Sequence, residues 1–297
     1  SCASALHEAG ITRDDIVIID INLARRHAVA LLALAHLGVA SASLETGRRE
    51  ALEGAGATVL LSDAHNPVST CRILRVQDHW FEPRPDAPAP PDSGFRSEDS
   101  LFRLKTTSGT TGRPQVIPVS LRDEILSLEQ YRYFDVEGRT LSMLGFASGV
   151  GTRAFLRSVL TGGTFCFAAT PQDVYDTVQL CTVERLLAST VQLRELTRRA
   201  REAGDPLHSL KSVVTGGSSI SARLIAEAQR FVCSNLIVHY ASTQAGFAAI
   251  APASALEGRP GAAGFIVPGI EAECIGEDGR VLPPGELGEL RLRTAYT

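Results

Sequence analysis

Apolar residues fall into two alternating patterns along this chain. Short unbroken runs of branched residues, such as Ile16-Val-Ile-Ile-Asp-Ile21 and Thr58-Val-Leu-Leu-Ser62, read as buried strands. Longer stretches with apolar residues three and four apart read as helices over 2–9, 24–38 and 47–55. The second of these ends at Gly38, a residue suited to a left-handed helix cap. Further strands are predicted at 140–146, 163–168, 185–189, 211–215 and 235–241. Further helices are predicted at 121–132, 150–160, 171–180, 191–203 and 219–231. Strands alternating with helices predict an α/β fold with parallel sheets covered by helices.

Two stretches interrupt that rhythm. Residues 82–94 carry Pro83, Pro85, Pro88, Pro90 and Pro91, which excludes a helix or sheet interior and predicts a linker or surface excursion. From Gly258 onward the chain is rich in Gly and Pro, with short strands expected at 271–275 and 286–293 joined through Glu277-Asp-Gly279. The expected organisation is a first α/β subdomain over 1–92, a second over 93–256, and the start of a β-rich subdomain over 257–297.

Composition narrows the function classes. The 297 residues are 44% apolar and carry a formal net charge of −4, so there is no electrostatic footprint for nucleic acid and no polybasic membrane patch. The longest apolar run, Ala28 to Ala35, is far shorter than the ~20 residues of a bilayer span. The six cysteines are scattered, without a C-x-x-C pair or a Cys/His cluster, which argues against a zinc site or a disulfide framework. No signal-peptide pattern opens the chain, and the expected location is cytoplasmic. The chain starts at Ser1 in a helix-like run and stops in a strand-like one, so it reads as a piece of a longer protein.

The densest chemistry lies in Lys105-Thr-Thr-Ser-Gly-Thr-Thr-Gly-Arg-Pro-Gln115, between a β-like run at 101–104 and a helix-like stretch. Glycines let backbone turn sharply and approach a ligand, and successive N–H groups in such a loop form an anion-binding concavity. Ser108, Thr110 and Thr111 add hydroxyl donors and Arg113 a fixed positive charge, a phosphate-binding set. It is not a Walker A loop, because no lysine follows Gly112. The bland reading is a polar surface loop. Lys105 beside it reads most simply as a solvated strand-end lysine.

The string Thr107-Ser-Gly-Thr-Thr-Gly112 followed by Arg113-Pro114 resembles the ATP loop of the adenylate-forming superfamily, which includes acyl-CoA synthetases, aryl-acid ligases, luciferases and nonribosomal-peptide adenylation domains. Other segments are similar to that family in the same order. Val213-Val-Thr-Gly-Gly-Ser-Ser-Ile220 resembles its glycine-rich strand end, which packs against adenine. Tyr240-Ala-Ser-Thr-Gln-Ala-Gly246 resembles its tyrosine–glycine–x–threonine–glutamate motif. The turns from Gly258-Arg-Pro-Gly261 to Leu282-Pro-Pro-Gly-Glu-Leu-Gly-Glu-Leu290, and the opening βα unit, match as well.

The resemblance implies ATP-dependent activation of a carboxylic acid as acyl-AMP with release of pyrophosphate. Thr107, Ser108, Gly109, Thr110, Thr111, Gly112 and Arg113 would hold phosphates; Gly216, Gly217, Ser218, Tyr240, Ala241 and Ser242 would hold the nucleotide. Thr243 and Gln244 take the catalytic positions, Gln244 standing where the family's magnesium-holding glutamate belongs. Phe146, Ala147, Ser148, Gly149, Gly246 and Phe247 would line the acid pocket. The implied cofactors are ATP and Mg2+. The implied partners are a small carboxylic acid and a thiol acceptor, either CoA or the pantetheine of an acyl or peptidyl carrier protein.

Departures from the pattern carry information too. A neutral amide at Gln244 contributes no charge to a cation that prefers anionic oxygens, which weakens magnesium–ATP binding. Ala147 and Ser148 supply neither the aspartate of amino-acid-activating members nor the histidine of many acyl-CoA ligases, which disfavours an α-amino acid. The only lysines are Lys105 and Lys211, neither at the place of the family's C-terminal catalytic lysine. A second reading is therefore a degenerate homologue that binds nucleotide or acyl ligand, or acts as a scaffold. A serine hydrolase is disfavoured, since no Gly-x-Ser-x-Gly elbow occurs.

Overall fold

A computed structural model of the chain describes residues 1–83, 94–107, 114–131, 138–259 and 261–294. The chain divides into two compact units. One comprises Ser1–Ile125 with Gly145–Thr152, the other Leu126–Leu144 with Arg153–Thr297. Among the described residues no helix is long and apolar enough to cross a membrane.

The first unit is built on a six-stranded sheet. Its strands are β1 (Ile16–Asp20), β2 (Ala40–Ser43), β3 (Val59–Ser62), β4 (Arg72–Arg75), β5 (Leu101–Thr107) and β6 (Gln115–Ser120), in the order β4-β3-β1-β2-β5-β6. All pairings are parallel except β5–β6. β2 and β3 are buried at every residue and β1 at its three central ones, as in a sheet covered on both faces. Helices α1 (Cys2–Glu8), α2 (Ala24–Leu37) and α3 (Arg49–Gly54) accompany it.

The second unit carries a seven-stranded sheet. Its strands are β7 (Arg139–Ser142), β8 (Thr164–Cys166), β9 (Arg185–Ser189), β10 (Ser212–Gly216), β11 (Leu236–Ser242), β12 (Gly246–Pro252) and β13 (Phe265–Ile266). The order is β13-β12-β11-β10-β9-β7-β8, parallel from β8 to β11, with β12 and β13 added antiparallel. Helices α6 (Val174–Leu180), α7 (Thr190–Ala203) and α8 (Ala222–Phe231) bury Val178, Leu193, Leu196 and Ala228 in a core with Leu186 and Val213 of the strands. The remaining helices are α4 (Leu121–Glu129) and α5 (Gly149–Leu160). β14 (Glu271–Ile275) and β15 (Glu289–Arg293) form the expected terminal hairpin, with the turn around Gly276–Arg280.

The α/β class and the parallel, helix-covered sheets match the expectation from the pattern; five strands, β2, β4, β6, β12 and the two-residue β13, do not appear in it. β2 reads Ala-Ser-Ala-Ser, and β12 is alanine-rich with Ile250 its single branched residue, so neither has the branched run that signals a strand. β4 is an edge strand with arginine at both ends, and three of its four residues are exposed. β6 contains Pro118, tolerated because β6 is also an edge. The expected strand–loop–helix around the glycine-rich segment is thus a β-hairpin in which Thr107 pairs with Gln115. The sheet also crosses the expected division at 92/93. Ser41 of β2 pairs with Arg103 of β5, and the first unit continues to Ile125. Residues 84–93 of the proline stretch lie outside the described residues.

Gly38 caps α2 with φ of 70°. A Cβ there would stand 2.0 Å from the carbonyl oxygen of Gly94, a backbone atom that cannot swing away. Gly47 has nearly the same φ of 76° with nothing within 4 Å. Left-handed backbone alone costs a side chain ~1–2 kcal/mol. Gly38→Ala is therefore expected to lower the urea midpoint well beyond Gly47→Ala, which carries only that backbone term. Equal losses would show that the Gly94 contact is soft.

Candidate functional site

Two of the singled-out motifs end neighbouring parallel strands. β10 runs into Gly216-Gly217-Ser218, and β11 runs into Tyr240-Ala-Ser-Thr-Gln244. The ladder sets Gly216 opposite His239, so the two segments lie side by side at the carboxyl ends of the strands. Open α/β sheets bind ligands at that edge.

Each glycine there has a distinct reason. A Cβ on Gly216 would sit 2.5 Å from the His239 carbonyl oxygen and 2.6 Å from its Nε2, so only glycine fits between the strands. Gly217 has φ of 87° and open space where a side chain would stand, leaving bare backbone for a flat ring to approach. Thr190, buried at the start of α7, donates its hydroxyl to the carbonyl of Ser218 at 3.1 Å and more loosely to that of Gly216 at 3.4 Å. That threonine, which motif reading missed, fixes the turn from beneath.

Tyr240 is 40% exposed, high for an aromatic at the end of a strand between two neighbours. The β11–β12 register shifts between Tyr240 and Ala241, and such a bulge re-aims the side chain beside it. Ala241, Ser242 and Thr243 are half-buried, and Gln244 is exposed on the turn. The Ser242 hydroxyl accepts from the Ala245 amide at 3.0 Å, closing that turn. Gly246 opens β12 with φ of 65°. Phe247 is buried, its ring flanked by Tyr131 at 4.9 Å and His239 at 4.8 Å. Its backbone N–H and C=O are both held by the Gln130 amide, at 3.1 and 3.3 Å.

His239 gave no sequence signal, being an ordinary position in an apolar run. It is only 8% exposed, and its Nδ1 has no hydrogen-bond partner among the described residues. Burial without a countercharge pushes its pKa from 6.5 down to about 4, so the ring is neutral at pH 7.

The other singled-out residues belong to the first unit. Phe146, Ala147, Ser148 and Gly149 form a half-buried turn that leads into α5. The Phe146 ring stacks on His27 at 4.9 Å, nearly coplanar at 7°. The Phe146 carbonyl accepts from Thr152 Oγ1 at 2.7 Å and Arg103 Nη2 at 3.2 Å. Thr107 ends β5, half-buried. Ser108, Gly109, Thr110, Thr111, Gly112 and Arg113 lie outside the described residues.

The reading of Lys105 as a solvated lysine is overturned. It is 4% exposed, and its Nζ pairs with Glu124 Oε2 at 2.7 Å on α4, equally buried. Arg103 and Lys105 sit two apart on β5 and therefore share one face, which is buried.

Glycine-backed strand ends beside an exposed tyrosine thus stand at the carboxyl edge of a largely parallel sheet, the edge at which open α/β sheets take ligands. Residues 1–297 match the AMP-binding enzyme family, and the chain belongs to it. It is 25% identical over 254 residues to the human mitochondrial acyl-coenzyme A synthetase ACSM6, covering 77% of this chain and 52% of that protein. It is 26% identical over 203 residues to the fatty acid–[acyl-carrier-protein] ligase ScoC of Streptomyces coeruleorubidus, covering 63% and 39%. The chain thus spans about half the length of these curated relatives, or less. Among solved structures it is similar to o-succinylbenzoate CoA synthetase (MenE) of Bacillus subtilis in complex with the acyl-adenylate intermediate OSB-AMP. The TM-score is 0.86 at 21% identity, over 99% of this chain and 62% of that one, a likeness of fold.

The His239 pKa makes stability depend on pH with a definite sign. Between 6.5 and about 4 the unfolded chain takes up a proton that the folded ring refuses, so stability falls as pH drops through that window. By pH 5 the loss from this one group is about 2 kcal/mol. His239→Gln is expected to lose about that much less than wild type when urea unfolding is compared at pH 7 and pH 5. Identical pH slopes would show that His239 protonates in the folded protein.

Proposed function

We propose that this chain is the nucleotide- and acid-binding core of an adenylate-forming ligase, which joins a carboxylic acid to the α-phosphate of ATP as acyl-AMP with release of pyrophosphate. The observation that carries the reading is the registered pair of strand ends, with Gly217 bare and Tyr240 exposed beside it. Family membership over residues 1–297 and ligase relatives support the same chemistry.

In this reading adenine rests between Gly216–Ser218 and Tyr240. The open space over Gly217 and the exposed ring of Tyr240 fit a planar base. Thr107 to Arg113 hold the phosphates through backbone N–H groups, hydroxyls and the Arg113 charge. Thr243 and Gln244 face the α-phosphate. The residues assigned to the acid are Phe146 to Gly149 in the first unit and Gly246 and Phe247 in the second. Catalysis then rests on holding two anions in reacting geometry and offsetting their repulsion, rather than on a protein nucleophile.

The residues from Tyr240 to Gly246 include no carboxylate, so they do not fit the usual Mg2+ set of one or two carboxylates plus phosphate oxygens. Among the described residues no group of three or more His, Cys, Asp and Glu side chains is arranged to hold a metal. No step is therefore assigned to a protein-held cation. The acyl group would pass to a thiol, of CoA or of a carrier protein's pantetheine, as the names of the two relatives suggest. The acid is one without an α-amino group, because Ala147 and Ser148 offer an amine no countercharge.

Gln244 also supports a second reading, in which the chain binds nucleotide or acyl ligand without turnover. The two separate in one experiment. ATP–pyrophosphate exchange is measured on the protein with aryl and fatty acids, alongside thermal shifts with AMP and ATP. A ligand at a hundred times its Kd stabilises by about 2.7 kcal/mol, readily seen. Acid-dependent exchange, raised about tenfold or more by Gln244→Glu, is the expected result. A saturable AMP shift with no exchange in either protein would favour the binding module, and no shift with any nucleotide would remove the ligase reading and leave the second only as an acyl-binding or scaffold module.

A further inference from the structure

Beneath the Phe146 turn lies a polar cluster that no motif predicts. Arg103, on the strand that leads into the glycine-rich loop, is 2% exposed. Its Nη2 donates to Ser43 Oγ at 2.8 Å and to the Phe146 carbonyl at 3.2 Å, and its Nη1 donates to Thr152 Oγ1 at 3.3 Å. Thr152 Oγ1 donates in turn to the Phe146 carbonyl at 2.7 Å. His27 Nε2 lies 2.8 Å from Ser43 Oγ, and its Nδ1 lies 3.4 Å from the Ile21 carbonyl.

Proton roles in this cluster follow from one fact about His27. Burial first, and the Arg103 charge second, push its pKa to about 4, so the ring is neutral. With the proton on Nδ1, His27 donates to the Ile21 carbonyl and accepts the Ser43 hydroxyl proton at Nε2. Ser43 Oγ is then left as the acceptor for Arg103. Each of these hydrogen bonds then has one consistent direction, and the Phe146 residue is gripped twice: its ring by His27, its carbonyl by Arg103 and Thr152.

We propose that Arg103 is a positioning residue, which fixes the Phe146–Gly149 turn as a preformed wall for the acid. The role for the acid rests on the ligase reading above; the grip on the turn does not. A guanidinium suits the task because its planar fork reaches three acceptors at once, which a lysine ammonium on a flexible stem does not. The same strand carries the first residue of the phosphate motif, Thr107, four positions on. One rigid element therefore sets both the start of that loop and the acid wall. Arg103 itself contacts the turn side of this arrangement, through Ser43, Thr152 and the Phe146 carbonyl.

The test uses Arg103→Lys and, in case that protein does not fold, Thr152→Val, each on the full chain. Hydrogen–deuterium exchange is read at the amides of 146–152 and at β9 as a reference. The expected result is exchange about fivefold or more faster in 146–152 with β9 unchanged, since local opening is governed by local contacts. In pyrophosphate exchange, the acid KM is expected to rise about tenfold while the ATP KM stays within about twofold. A purely structural role would move both constants, or neither. Unchanged exchange at 146–152 in both variants overturns the grip itself, whatever the activity. Parallel shifts in the two KM values overturn the role for the acid. A wild-type protein with no acid-dependent turnover brings down the ligase reading and that role with it, while the deuterium arm still decides whether Arg103 holds the turn.

Discussion

The parallel ladder joining β9, β10 and β11 is the constraint on which the candidate nucleotide site depends. Pairing runs from Ser212 opposite Arg185 to Gly216 opposite Ser189 on one side, and from Val213 opposite Leu236 to Gly216 opposite His239 on the other. A one-residue slip in either register would turn every buried side chain toward the wrong face. Because β10 is buried at all five residues, such a slip is strongly penalised. The strand ends therefore cannot drift, and the segments that continue from them begin at fixed relative heights. His239 lies where a Cβ on Gly216 would be, so the close approach of the two strands depends on a missing side chain. Above that contact the backbone opens at Gly217, and the bulge turns Tyr240 outward.

Strand β5 imposes a comparable constraint in the first unit by a different physical route. Burying charges is costly, and a buried ion pair is weak evidence for stability because desolvation offsets the attraction. Arg103 and Lys105 are nonetheless both inside, one against Ser43, Thr152 and the Phe146 carbonyl, the other against Glu124. What such groups supply is direction. Each must meet its partners in one geometry, because an unmet donor in that environment is penalised by ~1–3 kcal/mol or more. Lys105 thereby ties β5 to α4, and Arg103 ties it to the start of α5. The hairpin that carries the glycine-rich loop is anchored on its β5 side by charges, where an apolar face would have allowed sliding.

The α/β alternation was legible because branched apolar runs and three-four spacing report burial directly. β9 falls on its expected residues, and α2 ends at the expected glycine. What escaped reading escaped for stated reasons. The Ala-Ser strand β2 lacks a propensity signal, β4 is short with arginine at both ends, and β6 is interrupted by Pro118. Lys105 looked solvated because its Glu124 partner is distant in sequence and lies on an element whose facing side no local pattern reveals. The motif residues around Gly216 and Tyr240 were picked out by their resemblance to family motifs, while the exposure of Tyr240 is seen only in the structure. Thr190, His239 and Arg103 were not, because each acts through a tertiary contact that short-range spacing does not encode.

The turn from Tyr240 to Gly246 shows how one neutral side chain changes the electrostatic logic of a site. A carboxylate at position 244 would attract a divalent cation, and without the cation it would repel the phosphates it faces. Gln244 does neither; it offers an oxygen and an N–H group at no net charge. Ser242 and Thr243 are neutral as well, so the whole turn presents dipoles to whatever lies against it. Dipoles favour phosphate oxygens directly but compensate a polyphosphate only in part, since its charge grows with each added group. Under the proposed ligase function, such a turn would favour a monophosphate over a triphosphate. Within the ligase reading, a neutral residue at 244 would therefore cost the activation step more than it costs the hold on the adenylate.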